Sequence, residues 1–425
     1  MFSEDEKLYH SVTLDKDKCK GCTACLKRCP TEAIRIRDGK ATITKERCID
    51  CGECIKVCPY HAKKAVMDTF DLLRNFKYNI AVPAPAFYGQ FNNLKDIDYI
   101  LSGLLEIGFD EVYETAKATE AVTDYTRKLL EEGKLEKPII NSACPAVLRL
   151  ITVRFPSLIS HVLPIIAPVE AAAIAARRSA AEKTGLEPSD IGVFFISPCA
   201  AKATTVHNPL GLKKSPISAV LSIKDVYMRL LPVLGKLKEV KKLSTSSLEG
   251  ISWARCGGEI KALGTGRCLS VDGIDNIISL FEAIEDDETL GIDFIEALSC
   301  DGGCVSGPLT VENGFVAKMR VVDIAKVQGE KKLPKTPVNI KESELKWNEP
   351  LLYRNVLNLD DDISVAMQKL GRIEEIYSEL PQIDCGSCGA PTCKCLAEDI
   401  VRGVSSETDC IYKMREQFLK LTKDE

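Results

Sequence analysis

The stretch Ile191-Gly192-Val193-Phe194-Phe195-Ile196-Ser197-Pro198-Cys199-Ala200-Ala201-Lys202 begins as an uncharged apolar run and turns at a Pro-Cys pair into good helix formers. A short run rich in β-branched and aromatic residues reads as a strand buried on both faces. The same order of events occurs twice more. Lys137-Pro138-Ile139-Ile140 reads as a short buried strand, leading through Asn141-Ser142-Ala143-Cys144-Pro145 into a helix from Ala146. Residues 292–298, largely apolar with Glu296 inside, precede Cys300-Asp301-Gly302-Gly303-Cys304. Three times a cysteine stands just after a strand of an alternating β/α pattern. That edge of an open α/β sheet is where ligands bind. Spacing alone leaves open that these are unrelated buried thiols, because free cysteine is often buried.

Composition favours a metal reading. The chain has 425 residues, enough for about three domains. It carries 19 Cys against 4 His (His10, His61, His161, His207), which points to thiolate-bound metals or disulfides rather than His-rich zinc or copper sites. A formal net charge of −5 gives no basic excess for nucleic acid. Residues 1–7 are acidic without an apolar core, unlike a signal peptide. The most apolar region, 161–176, is broken by Pro164, Pro168 and Glu170, so no membrane span is expected. The expectation is a cytoplasmic protein, where cysteines are seldom spent on disulfides.

Two further cysteine groups are tightly spaced. Cys19, Cys22, Cys25 and Cys29-Pro30 follow C-x2-C-x2-C-x3-C-P, and Cys48, Cys51, Cys54 and Cys58-Pro59 repeat it 29 residues later. In this pattern the fourth cysteine of each run reaches the other cluster. The expected sets are Cys19, Cys22, Cys25 with Cys58, and Cys48, Cys51, Cys54 with Cys29. This region resembles the bacterial two-cluster ferredoxins. Near the C-terminus, Cys385, Cys388, Cys393 and Cys410 give C-x2-C-x4-C-x16-C, with Cys395 as a spare that could replace a neighbour. It resembles the small [4Fe-4S] domain of ferredoxin-oxidoreductase membrane complexes and corrinoid iron–sulfur proteins, with zinc as the alternative.

The three strand-plus-cysteine segments resemble the signature motifs of the [FeFe]-hydrogenases, usually T-S-C-C-P-x-W, M-P-C-x-x-K-x-x-E and E-x-M-x-C-x-x-G-C. The resemblance implies an H-cluster, a [4Fe-4S] cubane joined through one thiolate to a diiron unit carrying carbonyl, cyanide and a dithiolate bridge. Cys144, Cys199 and Cys300 would hold the cubane and Cys304 would bridge the two parts. Lys202 matches the lysine that approaches a cyanide. Ala84, Pro85, Ala86 and Pro198 match contacts around the diiron unit. Three accessory [4Fe-4S] clusters complete the expected cofactors.

The departures concern protons. The family cysteine that hands a proton to the bridging amine is Ala143 here, and a methyl group cannot relay one. The family Trp is Val147, the Met is Ser197 and the Glu ending the second motif is Thr205. Thr123 and Thr126 occupy the place of acidic relay residues. Glu259 is a candidate replacement relay, with Glu170 and Cys256 as further candidates. The pattern is similar to the sensory subclasses lacking the proton-transfer cysteine.

The expected fold is α/β: a two-lobed hydrogenase-like domain at 73–345, an α+β ferredoxin domain at 8–72, and a small, mainly helical cluster domain at 355–425. The charged stretch 327–350 reads as a linker or surface arm. The function expected is slow interconversion of H2 with protons, in a sensory or regulatory role. The expected partners are a ferredoxin-like redox protein or a signalling protein, and hydrogenase maturation proteins. The alternatives are a non-catalytic electron-transfer or scaffold protein without the diiron unit, resembling the eukaryotic hydrogenase-like assembly factors, or a subunit of a larger redox complex.

Overall fold

Apolar strands joined by helices pair in parallel, because each crossover helix returns the chain to the same edge and covers a face of the sheet. The computed structural model describes residues 9–94, 96–286, 291–331 and 337–422. Residues 1–7, and 332–336 of the charged stretch, lie outside them. In chain order the strands are β1 Val12–Leu14, β2 Ile34–Arg37, β3 Lys40–Ile43, β4 Lys63–Ala65, β5 Tyr78–Pro83, β6 Glu111–Val112, β7 Ile139–Ile140, β8 Ile191–Ser197, β9 Ala219–Ser222, β10 Cys268–Asp272 and β11 Phe294–Leu298. The chain forms two compact units, Met1–Ser11 with Val66–Tyr353, and Val12–Ala65 with Arg354–Glu425.

The larger unit holds two parallel sheets, ordered β6-β5-β8-β9 and β10-β11-β7. Every residue of β8 and β11 is buried, as expected for strands covered on both faces. In the first sheet the chain steps outward from β5 to β6 on one side and from β8 to β9 on the other. The crevice beyond the ends of β5 and β8 is therefore a topological switch point, the preferred ligand position of such sheets. One apolar cluster joins both sheets, with Ile80, Val82, Val193, Phe195 and Val220 from the first and Ile139 and Phe294 from the second.

The described parts of the charged stretch 327–350 lie against the larger unit, as a surface arm rather than a free linker. Its start completes the helix Gly314–Glu330. Farther on, Ile166 N–H donates to Leu345 O (2.9 Å) and Trp347 N–H to Pro164 O (3.1 Å), fixing the chain as a strap across the larger unit. Leu345, buried within the charged sequence, anchors it.

In the smaller unit β1 pairs with β4 and β2 with β3, all antiparallel. The β2–β3 hairpin turns at Asp38-Gly39, both at positive φ (52° and 69°), as a two-residue hairpin demands. The 29-residue repeat is written in the backbone as well. Positive φ recurs at Gly21 and Asp50, Thr23 and Gly52, and Glu32 and His61. The C-terminal helices Ile363–Glu379 and Cys393–Val401 pack through Ile373, Ile376, Leu396 and Ala397. The second helix also meets the hairpin. Asp399 accepts from Arg35 Nε (2.7 Å) and Arg37 Nη2 (2.6 Å), and Glu398 pairs with Arg47. Gly389 O accepts from Ile36 N–H at 2.8 Å. Among the described residues no helix is long and apolar enough to cross a membrane.

Candidate metal centres

In the larger unit the strand ends deliver the cysteines. Cys199 follows β8 and caps the helix Ala200–His207, and Cys144 follows β7 and caps the helix Pro145–Arg154. A helix N-terminus favours a thiolate through its unpaired N–H groups and dipole. Cys300 lies two residues past β11, and Cys304 opens a short 3-10 turn. Gly303 at φ 100° allows the loop between them to lie tight, since a Cβ there would meet Cys256 N at 2.6 Å. On the first sheet, Ala84-Pro85-Ala86 leaves β5 beside Ser197-Pro198, with Ala84 N–H donating to Ile196 O at 3.1 Å.

The thiols interact. Burial pushes Cys304 up to about 12, and the neighbouring charges of Cys144 and Cys199 add to this, while Lys202 opposes it. Burial likewise pushes Cys199 up to about 11, with Cys144 adding and Lys202 opposing. Closely set buried thiolates are costly unless a cation holds them. Lys202 Nζ stands 4.0 Å from Glu170 Oε2, a buried oxygen with no hydrogen-bond partner. This donor set fits a thiolate-bound metal cluster with an ammonium beside it.

The replaced positions have local duties. Ser197 Oγ accepts from Cys199 N–H (3.0 Å) and donates to Cys199 O (3.1 Å), so it shapes the ligand loop. Thr205 Oγ1 donates to Ala201 O and accepts from the buried Arg149. Thr126 Oγ1 donates back to Val122 O.

Glu259 has company that spacing did not reveal. Asn141 Nδ2 donates to Glu259 Oε2 at 2.6 Å, and Asn141 Oδ1 accepts from Ala297 N–H at 3.0 Å. Burial and the charge of Glu296 hold the Glu259 carboxyl well above its ordinary range. Burial also raises Glu296 to about 7, although the backbone N–H groups of Ile260 and Gly257, each at 3.1 Å, pull the other way. Glu296 also bears on Cys304 electrostatically, so this carboxyl pair adjoins the cysteine site. Cys256 lies against the 300–304 loop, donating from N–H to Gly302 O at 3.2 Å, and its thiol interacts with Ser270.

The smaller unit gathers two cysteine quartets. Cys19, Cys22, Cys25 and Cys58 line one small cavity, and Cys29, Cys48, Cys51 and Cys54 line another. The swap of Cys29 and Cys58 between the runs is visible in these linings. Backbone N–H groups aim at the sulfurs, Ala33 at Cys29 (3.2 Å), Ala62 at Cys58 (3.3 Å) and Ala41 at Cys19 (3.4 Å). Such donors serve thiolates, and the quartets fit metal clusters. At the C-terminus, Cys388 is raised by burial and by the charges of Cys385 and Cys410, which places these three together. Cys393 N–H donates to Asp384 Oδ1 at 2.6 Å in the same loop. The spare Cys395 instead faces Glu32 and Arg35, and burial followed by Glu32 pushes it up to about 12.

Comparisons with known proteins identify the family and the domains. The iron-only hydrogenase large subunit, C-terminal domain family matches residues 77–264 and 227–308, together more than half of the chain. A 4Fe-4S dicluster domain matches residues 9–62, and an Fe-S cluster domain matches 380–412. The chain is 27% identical over 368 residues to the periplasmic [Fe] hydrogenase large subunit of Nitratidesulfovibrio vulgaris, covering 72% of this chain and 87% of that one. Among solved structures, a variant of [FeFe]-hydrogenase HydA1 from Chlamydomonas reinhardtii aligns with a TM-score of 0.50 at 17% identity, over 66% of this chain and 95% of that one. That likeness bears on the fold.

Proposed function

The chain belongs to the iron-only hydrogenase family, and from this premise we propose that it is a slow [FeFe]-hydrogenase of sensory or regulatory type. The reading rests on one observation above all: Cys144, Cys199 and Cys304 meet beside Lys202 at the ends of strands from both sheets. In this reading Cys144, Cys199 and Cys300 would hold the cubane of an H-cluster and Cys304 would be the thiolate shared with the diiron unit. When bound, that group supplies the redox and hydrogen-binding chemistry. Lys202, partly exposed, offers an ammonium as a strong donor. Ala84, Pro85, Ala86 and Pro198 supply an apolar wall that excludes water.

The slow rate follows from Ala143, which leaves no thiol to deliver a proton. Glu259 and Glu296 take over that duty. A carboxyl near 7 both accepts and gives a proton at neutral pH, and burial beside Glu296 favours the protonated form of Glu259 as well. The three cysteine quartets of the smaller unit would hold accessory [4Fe-4S] clusters, which would supply electron transfer to a ferredoxin-like or signalling partner. Installing the diiron unit requires maturation proteins. The proposed setting is the cytoplasm; the relative from Nitratidesulfovibrio vulgaris is named as periplasmic.

Infrared spectroscopy after maturation with the diiron unit tests the proposal. Bands of bound carbonyl and cyanide are expected. Their absence from matured, iron-replete protein would favour the non-catalytic scaffold reading.

A further inference from the structure

The two ferredoxin-like halves differ at one buried position. Counting 29 residues from Ile34 in β2 leads to Lys63 in β4. Ile34 lines the cavity of Cys29, Cys48, Cys51 and Cys54, as an apolar residue should, and is 2% exposed. Lys63 lines the cavity of Cys19, Cys22, Cys25 and Cys58, and is also 2% exposed. Its Nζ is fully buried and has no hydrogen-bond partner. A lone buried ammonium is expensive, and the other half shows that an aliphatic side chain fits the same place in the repeat. What faces Lys63 is sulfur: its charge acts on Cys25 and Cys58 of the cavity it lines, and also reaches Cys54 of the other quartet.

We infer that Lys63 is a potential-setting residue, the buried counter-charge that makes the Cys19/Cys22/Cys25/Cys58 cluster easier to reduce than its symmetry mate. The inference rests on the reading that both quartets hold cubanes. One-electron reduction by a low-potential carrier of ferredoxin type adds a unit of negative charge to a thiolate-bound cluster, with no bond made or broken. A fixed positive charge in a buried setting stabilises the reduced form more than the oxidised one. Ile34 provides no such charge to the second quartet. Between these two quartets, electrons therefore settle first at the site lined by Lys63.

The test is a redox titration of the full chain followed by electron paramagnetic resonance, comparing unsubstituted protein with Lys63→Met. The expected result is one cubane transition displaced to lower potential, its one-electron reduction constant falling about tenfold, which corresponds to ~59 mV. The transition of the other quartet, whose cavity Lys63 does not line but whose Cys54 feels its charge, moves less in the same direction, and the C-terminal one stays in place. If Lys63→Met retains less iron, Lys63→Ile is titrated instead, because it copies the residue of the other half. Transitions unmoved in the variant that keeps its iron, or a displacement to higher potential, overturn the inference. Iron and sulfide content and the cubane signals of the unsubstituted protein test the cluster reading separately, so the two failures are distinguishable.

Discussion

If Glu259 and Glu296 carry the proton, Glu259→Gln is the most informative single change. The amide has the size of the carboxyl, and its oxygen still accepts from Asn141 Nδ2, now at 2.6 Å. Only the capacity to hold and release a proton is lost. The Glu296 carboxyl lies at about 7 instead of its ordinary 4.5, so ionising it in place costs about 3 kcal/mol more than in water. Two consequences follow for the unsubstituted protein. H2 production is level below about pH 7 and falls above it, as Glu296 loses the proton it must donate. Stability has a different window: Glu296's contribution is fully present below about 4.5 and is lost as pH rises through about 7. Removing a relay acid typically costs 10²–10⁴-fold in rate, and about that loss is expected for Glu259→Gln. The assay is H2 evolution from reduced viologen by matured protein between pH 5.5 and 8.5, roughly spanning the Glu296 titration. Iron content and the carbonyl and cyanide bands should be unchanged. A Glu259→Gln enzyme that keeps the unsubstituted rate at every pH would refute the relay.

Two other substitutions probe different parts of the molecule. Ala143→Cys restores a thiol next to Cys144 and should raise H2 production by matured protein, measured with the same viologen assay; an unchanged rate would place the slow step elsewhere. Asp399→Ala leaves Arg35 and Arg37 facing each other without their shared carboxylate, whose side chain is 8% exposed. Breaking a buried pair of this kind costs about 3–5 kcal/mol. The variant should melt at lower temperature and retain less iron at the Cys385 site, and a melting curve matching the unsubstituted protein would show the clamp to be dispensable.

The electron-handling parts were legible because their determinants are local. A thiolate cluster needs ligands on short loops, so eight cysteines in two runs announce themselves, and even the left-handed positions recur at the same 29-residue offset. The strand-then-cysteine segments were legible for the same reason: β8 and Cys199 lie within one turn of chain. The clamp between Asp399 and the hairpin was not legible. It joins residues 364 positions apart, and a lone Asp in an amphipathic helix leaves no pattern. Lys63 was hidden differently. A lysine beside another lysine in a short strand reads as solvated surface, and only its superposition on Ile34 exposes the exception.

The proton side was partly legible for a reason that also supports the relay. Glu259 could be singled out near Gly257-Gly258, but nothing local pairs it with Glu296 or Asn141. Those three residues come from a helix, a strand and the loop before Cys144. Two are held by main-chain bonds, since Gly257 and Ile260 N–H groups fix Glu296 and Ala297 N–H fixes Asn141, and Asn141 in turn holds Glu259. A buried carboxyl fixed this way cannot swing to water, so its proton must move to a neighbouring group. Asn141 belongs to the same loop as Ala143, two residues away. The carboxyl pair is therefore anchored to the segment from which the missing thiol would have acted. A route through Glu259 needs no rearrangement of the cysteine site.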